Sequence, residues 1–145
     1  MFTHLNIHSV YSPMRGLLSL SDLVFLSNSE GMDTLALTDI NGLWGFIRFV
    51  QHCKDADISP IAGTNLITKK DEAIILAENQ YGYENICRVL SAIHDNPNQS
   101  VVDVLRKNFT GLFVLSYNIN TLKALMNFIP NSHLFIELRP GLQES

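Results

Sequence analysis

The sequence predicts an α/β fold in a single domain spanning residues 1–145, and three observations carry that prediction. Strand-like segments alternate with segments of helical apolar spacing along the whole chain, with no repeat, low-complexity tract or domain boundary between them. Polar residues with chemical potential (His8, Ser9, Asp39, Asn65, Glu78, Ser116 and Glu137) fall at the ends of the strand-like segments. The chain is 46% hydrophobic and 17% charged, with a mean hydropathy of +0.12. That suffices for a core and leaves apolar surface for a partner or for further chain. Strands separated by helices imply parallel βαβ units with right-handed crossovers, so mostly parallel strands are expected, with chemistry at their C-terminal ends.

The elements follow in order. "FTHLNIH" reads as a strand with His4, Asn6 and His8 on one face, since side chains in a strand repeat every second residue. "SLSDLVFLSNSEG" reads as a helix that Ser19 and Asp22 open as a capping box and Gly31 ends. "DTLALTD" is a short buried strand, and "LWGFIRFVQHCKDA" a helix with Leu43, Phe46, Ile47 and Val50 in one stripe. "ISPIAGTNLIT" and "EAIILAE" are two strands, and "YENICRVLSAIH" is an amphipathic helix. "SVVDVLRKN" opens on a second capping box, Ser100 and Asp103. Strand "GLFVLS", helix "INTLKALMNFI" and strand "HLFIELR" complete the chain.

Composition excludes several classes of function. A net charge of −4 argues against a direct grip on a nucleic-acid backbone. No run approaches the ~18 apolar residues of a membrane span, and "MFTHLNIHS" lacks a secretory pattern. Cys53 and Cys87 stand outside any CxxC spacing, which suits reduced thiols in a cytoplasmic protein. Neither a phosphate loop, a nucleophile elbow nor a paired-carboxylate motif is present. His4 and His8 would lie ~13 Å apart on a strand, too far to share one ion, and the residue between them is Asn6. Asp39, straight after a buried strand, suits either an Asx-turn or a functional carboxylate.

The stretch "HLNIHSVYSPMRGLLSLSDLV…GMDTLALTDINGLWGFIRFVQHCKDADISPIAGTNL" resembles the start of the polymerase and histidinol phosphatase (PHP) domain. The resemblance is to the version at the N-terminus of bacterial DNA polymerase III alpha subunits, replicative or error-prone. It continues through "ILAENQYGYENICRVLSAIH", "GLFVLS" and "HLFIELRPGLQE". It implies the first part of a distorted (β/α)7 barrel, cut from a longer polymerase chain. In metal-binding members of the family, ligands fall at the positions of Asn6, His8, Arg15, Asp39, Ile40 and Asn65, with a further histidine near Glu72. Only His8 and Asp39 keep a ligand type. Arg15, a fixed cation where the family has an acid, repels metal ions and would pair with Asp39 instead.

The resemblance therefore implies a degenerate site with no catalytic residue and no metal in this chain. The parent would be a DNA-directed DNA polymerase, a nucleotidyltransferase with magnesium in its polymerase domain. Implied partners are the remainder of that chain and possible replication subunits such as the proofreading exonuclease. Self-association through the edge of "HLFIELR" is a further expectation. The competing readings are a PHP-type phosphoesterase using two or three metal ions, and a free-standing binding module.

Overall fold

A computed structural model describes residues 2–139. Helix α1 (Leu20–Ser29) begins where the sequence places it, because the Ser19 hydroxyl accepts from the Asp22 N–H at 3.2 Å. Strand β1 (Thr34–Leu37) and helix α2 (Phe46–Asp55) follow, then strands β2 (Ser59–Ile67) and β3 (Glu72–Ala77). Helices α3 (Gln80–Asp95) and α4 (Val101–Leu105) lead to β4 (Leu112–Ser116), α5 (Ile119–Leu125) and β5 (Leu134–Ile136). The serine cap of the second predicted helix start is also formed, Ser100 accepting from the Asp103 N–H at 3.0 Å. A second carboxylate supports the same helix end: Asp71, from the turn before β3, accepts the N–H groups of Val101 and Val102.

The α/β class is as expected, and the five strands form one sheet in the order β1-β2-β3-β4-β5. β1–β2 and β4–β5 are parallel, whereas β2–β3 and β3–β4 are antiparallel. The antiparallel β2–β3 pair has a simple cause. Residues 68–71 alone join β2 to β3, closed by a Thr68 N–H to Asp71 carbonyl bond of 3.0 Å, and a parallel crossover needs a dozen residues or more.

The segment predicted as the first strand runs extended beside β1 but forms no regular ladder. Its carbonyls accept from β1 and the residue after it: Ala36 N–H to His4 O at 3.3 Å and Thr38 N–H to Ile7 O at 2.8 Å. The return bond is diverted, because the Ile7 N–H donates to the Thr38 hydroxyl at 2.8 Å instead of to a backbone carbonyl.

Two apolar clusters hold the helices to the sheet. α3, α4 and α5 pack on β3 and β4 through Ile75, Ile86, Val89, Val101, Leu105, Val114 and Leu125. α1 and α2 pack on β1 through Leu20, Val24, Leu35, Leu37, Phe49 and Cys53. A third cluster, Ala36, Ile74 and Leu76 with Leu5, Ile61, Phe113 and Leu115, contains no helical residue and lines the opposite, inner face of the sheet.

Both cysteines are free, as expected, but they differ in setting: Cys53 is buried and Cys87 exposed. Burial pushes the Cys53 thiol up to about 11. Since the thiolate is the reactive form, the native chain should react with one equivalent of a thiol reagent and release the second only on unfolding. Two equivalents reacting at one rate in native buffer would contradict the packing of α2.

Candidate functional site

Most of the strand-end polar residues meet at one end of the sheet; Glu78 does not, because antiparallel β3 carries it to the opposite end, where it lies 3.3 Å from His133. β1 delivers Asp39, and its carboxylate is 1% exposed. Its Oδ1 accepts from the Ser9 N–H at 2.7 Å and the Ser12 hydroxyl at 2.6 Å, and its Oδ2 from the Ser9 hydroxyl at 2.7 Å. Ser12 in turn accepts from the Ile40 N–H at 2.9 Å, so loop 9–16 and the end of β1 are tied into one unit. The loop closes on itself through the Gly16 N–H to Ser12 O bond of 3.0 Å. A Cβ at Gly16 would stand 1.9 Å from the Ser9 carbonyl oxygen, so only glycine allows this approach.

Beside this unit lies a ring of side chains. An isolated bridge pairs Ile40 with Asn65 and brings β2 against the end of β1. The Asn65 Nδ2 faces His8 Nε2 at 3.4 Å and donates to Glu72 Oε1 at 3.1 Å. The Arg139 guanidinium donates through Nη2 to Glu72 Oε1 at 2.7 Å and lies 2.9 Å from Glu137 Oε2. Its flat face lies 4.0 Å from the centre of the Tyr117 ring. Finally, Asn6 Nδ2 donates to Glu137 Oε1 at 2.7 Å. Asn6 lies beside β1 and Glu137 just after β5, the two opposite flanks of the sheet. A bond of that length between them requires the sheet to be rolled like a barrel wall, with its inner cluster inside.

Charge states follow from these contacts. Burial pushes His8 below the ordinary histidine range, helped by Arg15 and Arg139 and opposed by Asp39 and Glu72. Burial alone would raise Glu72, but hydrogen bonds from Arg139 and Asn65 hold it below the usual carboxylate range. Burial works against the charge of Arg139, and Glu137 and Glu72 outweigh it, so the guanidinium is held charged.

His8, Ser9, Asp39, Asn65 and Glu137 are thus brought together as the strand-end pattern implied, with Asn6 and Glu72 beside them. Ile40 contributes its backbone to the unit. The expected Arg15–Asp39 pair is not formed: Arg15 is exposed and takes part in no ion pair among the described residues, while two serines and a backbone N–H satisfy Asp39. The cation in the ring is Arg139, which sequence reasoning passed over together with Ser12 and Tyr117. One signal was available: Glu137 and Arg139 stand two apart at a strand end and so share a face.

A rolled α/β sheet with its polar residues gathered at one end defines the class, and comparison with known proteins specifies it. The PHP domain family matches residues 4–138, and the chain belongs to that family. It is 32% identical over 121 residues to DNA polymerase III subunit alpha of Staphylococcus aureus (strain MRSA252), covering 81% of this chain and 11% of that protein. It is 37% identical over 94 residues to the error-prone DNA polymerase of Symbiobacterium thermophilum, covering 64% of this chain and 9% of that one. The chain therefore spans 11% or less of the length of these relatives.

Among solved structures, a protein named as a candidate metal-dependent phosphoesterase from Bifidobacterium adolescentis matches with a TM-score of 0.57 at 10% identity, over 93% of this chain and 76% of that one. An amidohydrolase from Chromobacterium violaceum, with bound sulfate and no metal, matches with a TM-score of 0.53 at 18% identity, over 64% and 33%. At these identities the structural likeness concerns the fold alone.

Proposed function

We propose that the chain is the N-terminal PHP segment of a bacterial DNA polymerase III alpha-type polymerase, cytoplasmic, with a degenerate metal site and a structural and partner-binding role. The observation that carries this reading is the use made of the ligand positions. Both Asp39 oxygens are filled by neutral donors from Ser9 and Ser12, and His8 Nε2 faces the Asn65 amide. The donor set does not fit a divalent cation. Among the described residues no group of three or more His, Cys, Asp or Glu is placed to hold one. Of the positions where metal-binding relatives place ligands, only His8 and Asp39 keep a ligand type, and these two cannot by themselves fill the four to six positions that zinc or manganese takes.

In this reading the polymerase chemistry, with its magnesium, belongs to the remainder of the parent chain. The partner surface lies at β5, where Phe135 is 47%, Ile136 67% and Leu138 87% exposed. An open, apolar strand edge of this kind suits the remainder of the polymerase, a replication subunit such as a proofreading exonuclease, or a second copy.

The name of the Bifidobacterium neighbour supports a second reading, metal-dependent phosphoesterase. Dialysis against zinc and manganese, followed by elemental analysis and a generic phosphodiester assay, separates the two. The expected result is substoichiometric metal and no hydrolysis. Near-stoichiometric metal, with hydrolysis abolished by His8→Ala or Asp39→Ala, would establish the second reading and overturn the first.

A further inference from the structure

We infer that Arg139 is the chain's own cation at the barrel mouth, fastening the two flanks of the rolled sheet and keeping divalent ions away from Glu72 and Glu137. The inference rests on the metal-free reading above and adds a specific residue to it. The side chains of Glu72 and Glu137 are each 13% exposed; Glu72 opens β3 and Glu137 follows β5. Two such carboxylates facing one another repel unless a cation stands between them. Arg139 stands there, 2.7 Å from one and 2.9 Å from the other, with Tyr117 behind it. A guanidinium does not lose its proton in a protein and it matches carboxylate geometry, so it supplies permanently what a bound ion supplies only while bound.

The same contact has a mechanical consequence. With its Oε2 on Arg139, Glu137 is oriented so that its Oε1 accepts from Asn6, and this bond joins the flank beside β1 to the flank at β5. Arg139 is therefore a positioning residue that acts through Glu137. On this inference the mouth holds a cation off more firmly than the loss of ligands alone would. An incoming ion would meet a fixed positive charge already seated on the carboxylates it needs.

The test is to replace Arg139 and offer an ion in its place. Arg139→Met should leave Glu72 and Glu137 as an unneutralised pair. Millimolar manganese should then raise the thermal midpoint of that variant by about 5 °C or more over sodium chloride of matched ionic strength, as expected for a ligand bound only by the folded state. Wild type and Arg139→Lys, which keep a cation, should not respond. Indifference of Arg139→Met to manganese, or an equal response from wild type, overturns the inference. Should Arg139→Met fail to fold unaided, refolding is compared with and without manganese; recovery only with the ion supports the proposal, and failure in both overturns it. The two readings fail in different ways. Near-stoichiometric metal in the dialysed wild type defeats the metal-free function, whereas an empty wild type with an indifferent Arg139→Met defeats only the role of Arg139.

Discussion

Asp39→Ala is expected to lower the unfolding free energy by about 3–5 kcal/mol, and Asp39→Asn by only about 1 kcal/mol. The alanine removes both acceptor oxygens from a carboxylate that is 1% exposed, and it strands the Ser9 N–H, the Ser9 hydroxyl and the Ser12 hydroxyl at once. Leaving buried donors unpaired costs more than their bonds contribute when made. Asparagine keeps one carbonyl oxygen for the Ser9 N–H and the Ser12 hydroxyl. Its amide then faces the Ser9 hydroxyl, which can turn to accept, as it already does from the Tyr11 N–H at 3.2 Å. Urea unfolding followed by circular dichroism gives both values. The separation between the two variants is informative, because a metal-binding carboxylate would tolerate Asn poorly. Equal losses for Asn and Ala would show that Asp39 does something other than hold loop 9–16 to the end of β1.

What could be read in the sequence, and what could not, divides by the range of the interactions. The serine caps at Ser19 and Ser100 are local, each made within three residues, and both are formed. Helical stripes and buried strands likewise depend on neighbours in the chain. The N-terminal segment reads as a strand from its alternation, yet a single hydroxyl, Thr38, 31 residues away, takes the N–H that a ladder needs. The antiparallel β2–β3 pair is implicit in the short spacer "KKD" between two strands without a helix. The site shows the same division. Comparing ligand positions with a family pattern identifies what is missing at Asn6, Arg15, Ile40 and Asn65, but it examines only those positions. The cation that holds the mouth comes from beyond β5, 67 residues from Glu72, and closes on Asn6 through Glu137 across 131 residues. Arg15, the cation that the family pattern singles out, lies exposed on the loop while serines satisfy Asp39.

Glu72→Gln should destabilise the protein by about 2 kcal/mol at pH 7, the order expected for hydrogen bonds to a charged group, and by progressively less as the pH falls. Glu72 accepts from Arg139 at 2.7 Å and from Asn65 at 3.1 Å, and its carboxyl is held below the usual range although burial alone would raise it. A folded value below the unfolded one means that the unfolded chain binds the proton first. The stabilisation is therefore complete above the unfolded value of about 4.3 and is lost as pH falls through the folded value. Glutamine resembles the protonated acid in shape and neutrality, so the variant lacks this step, and the two proteins should converge in stability once the pH is below the folded value. His8 adds a separate step to both. Its value is lowered by burial, so the unfolded chain protonates it first, and stability declines as pH drops through about 6.5 and levels off below the folded value. Subtracting the variant's stability curve from that of wild type should remove most of the histidine step and isolate Glu72. A gap that stays constant from pH 7 to pH 3, or widens on acidification, would mean that Glu72 is not held as a carboxylate by Arg139 and Asn65. The ring across the barrel mouth would then lose its central link.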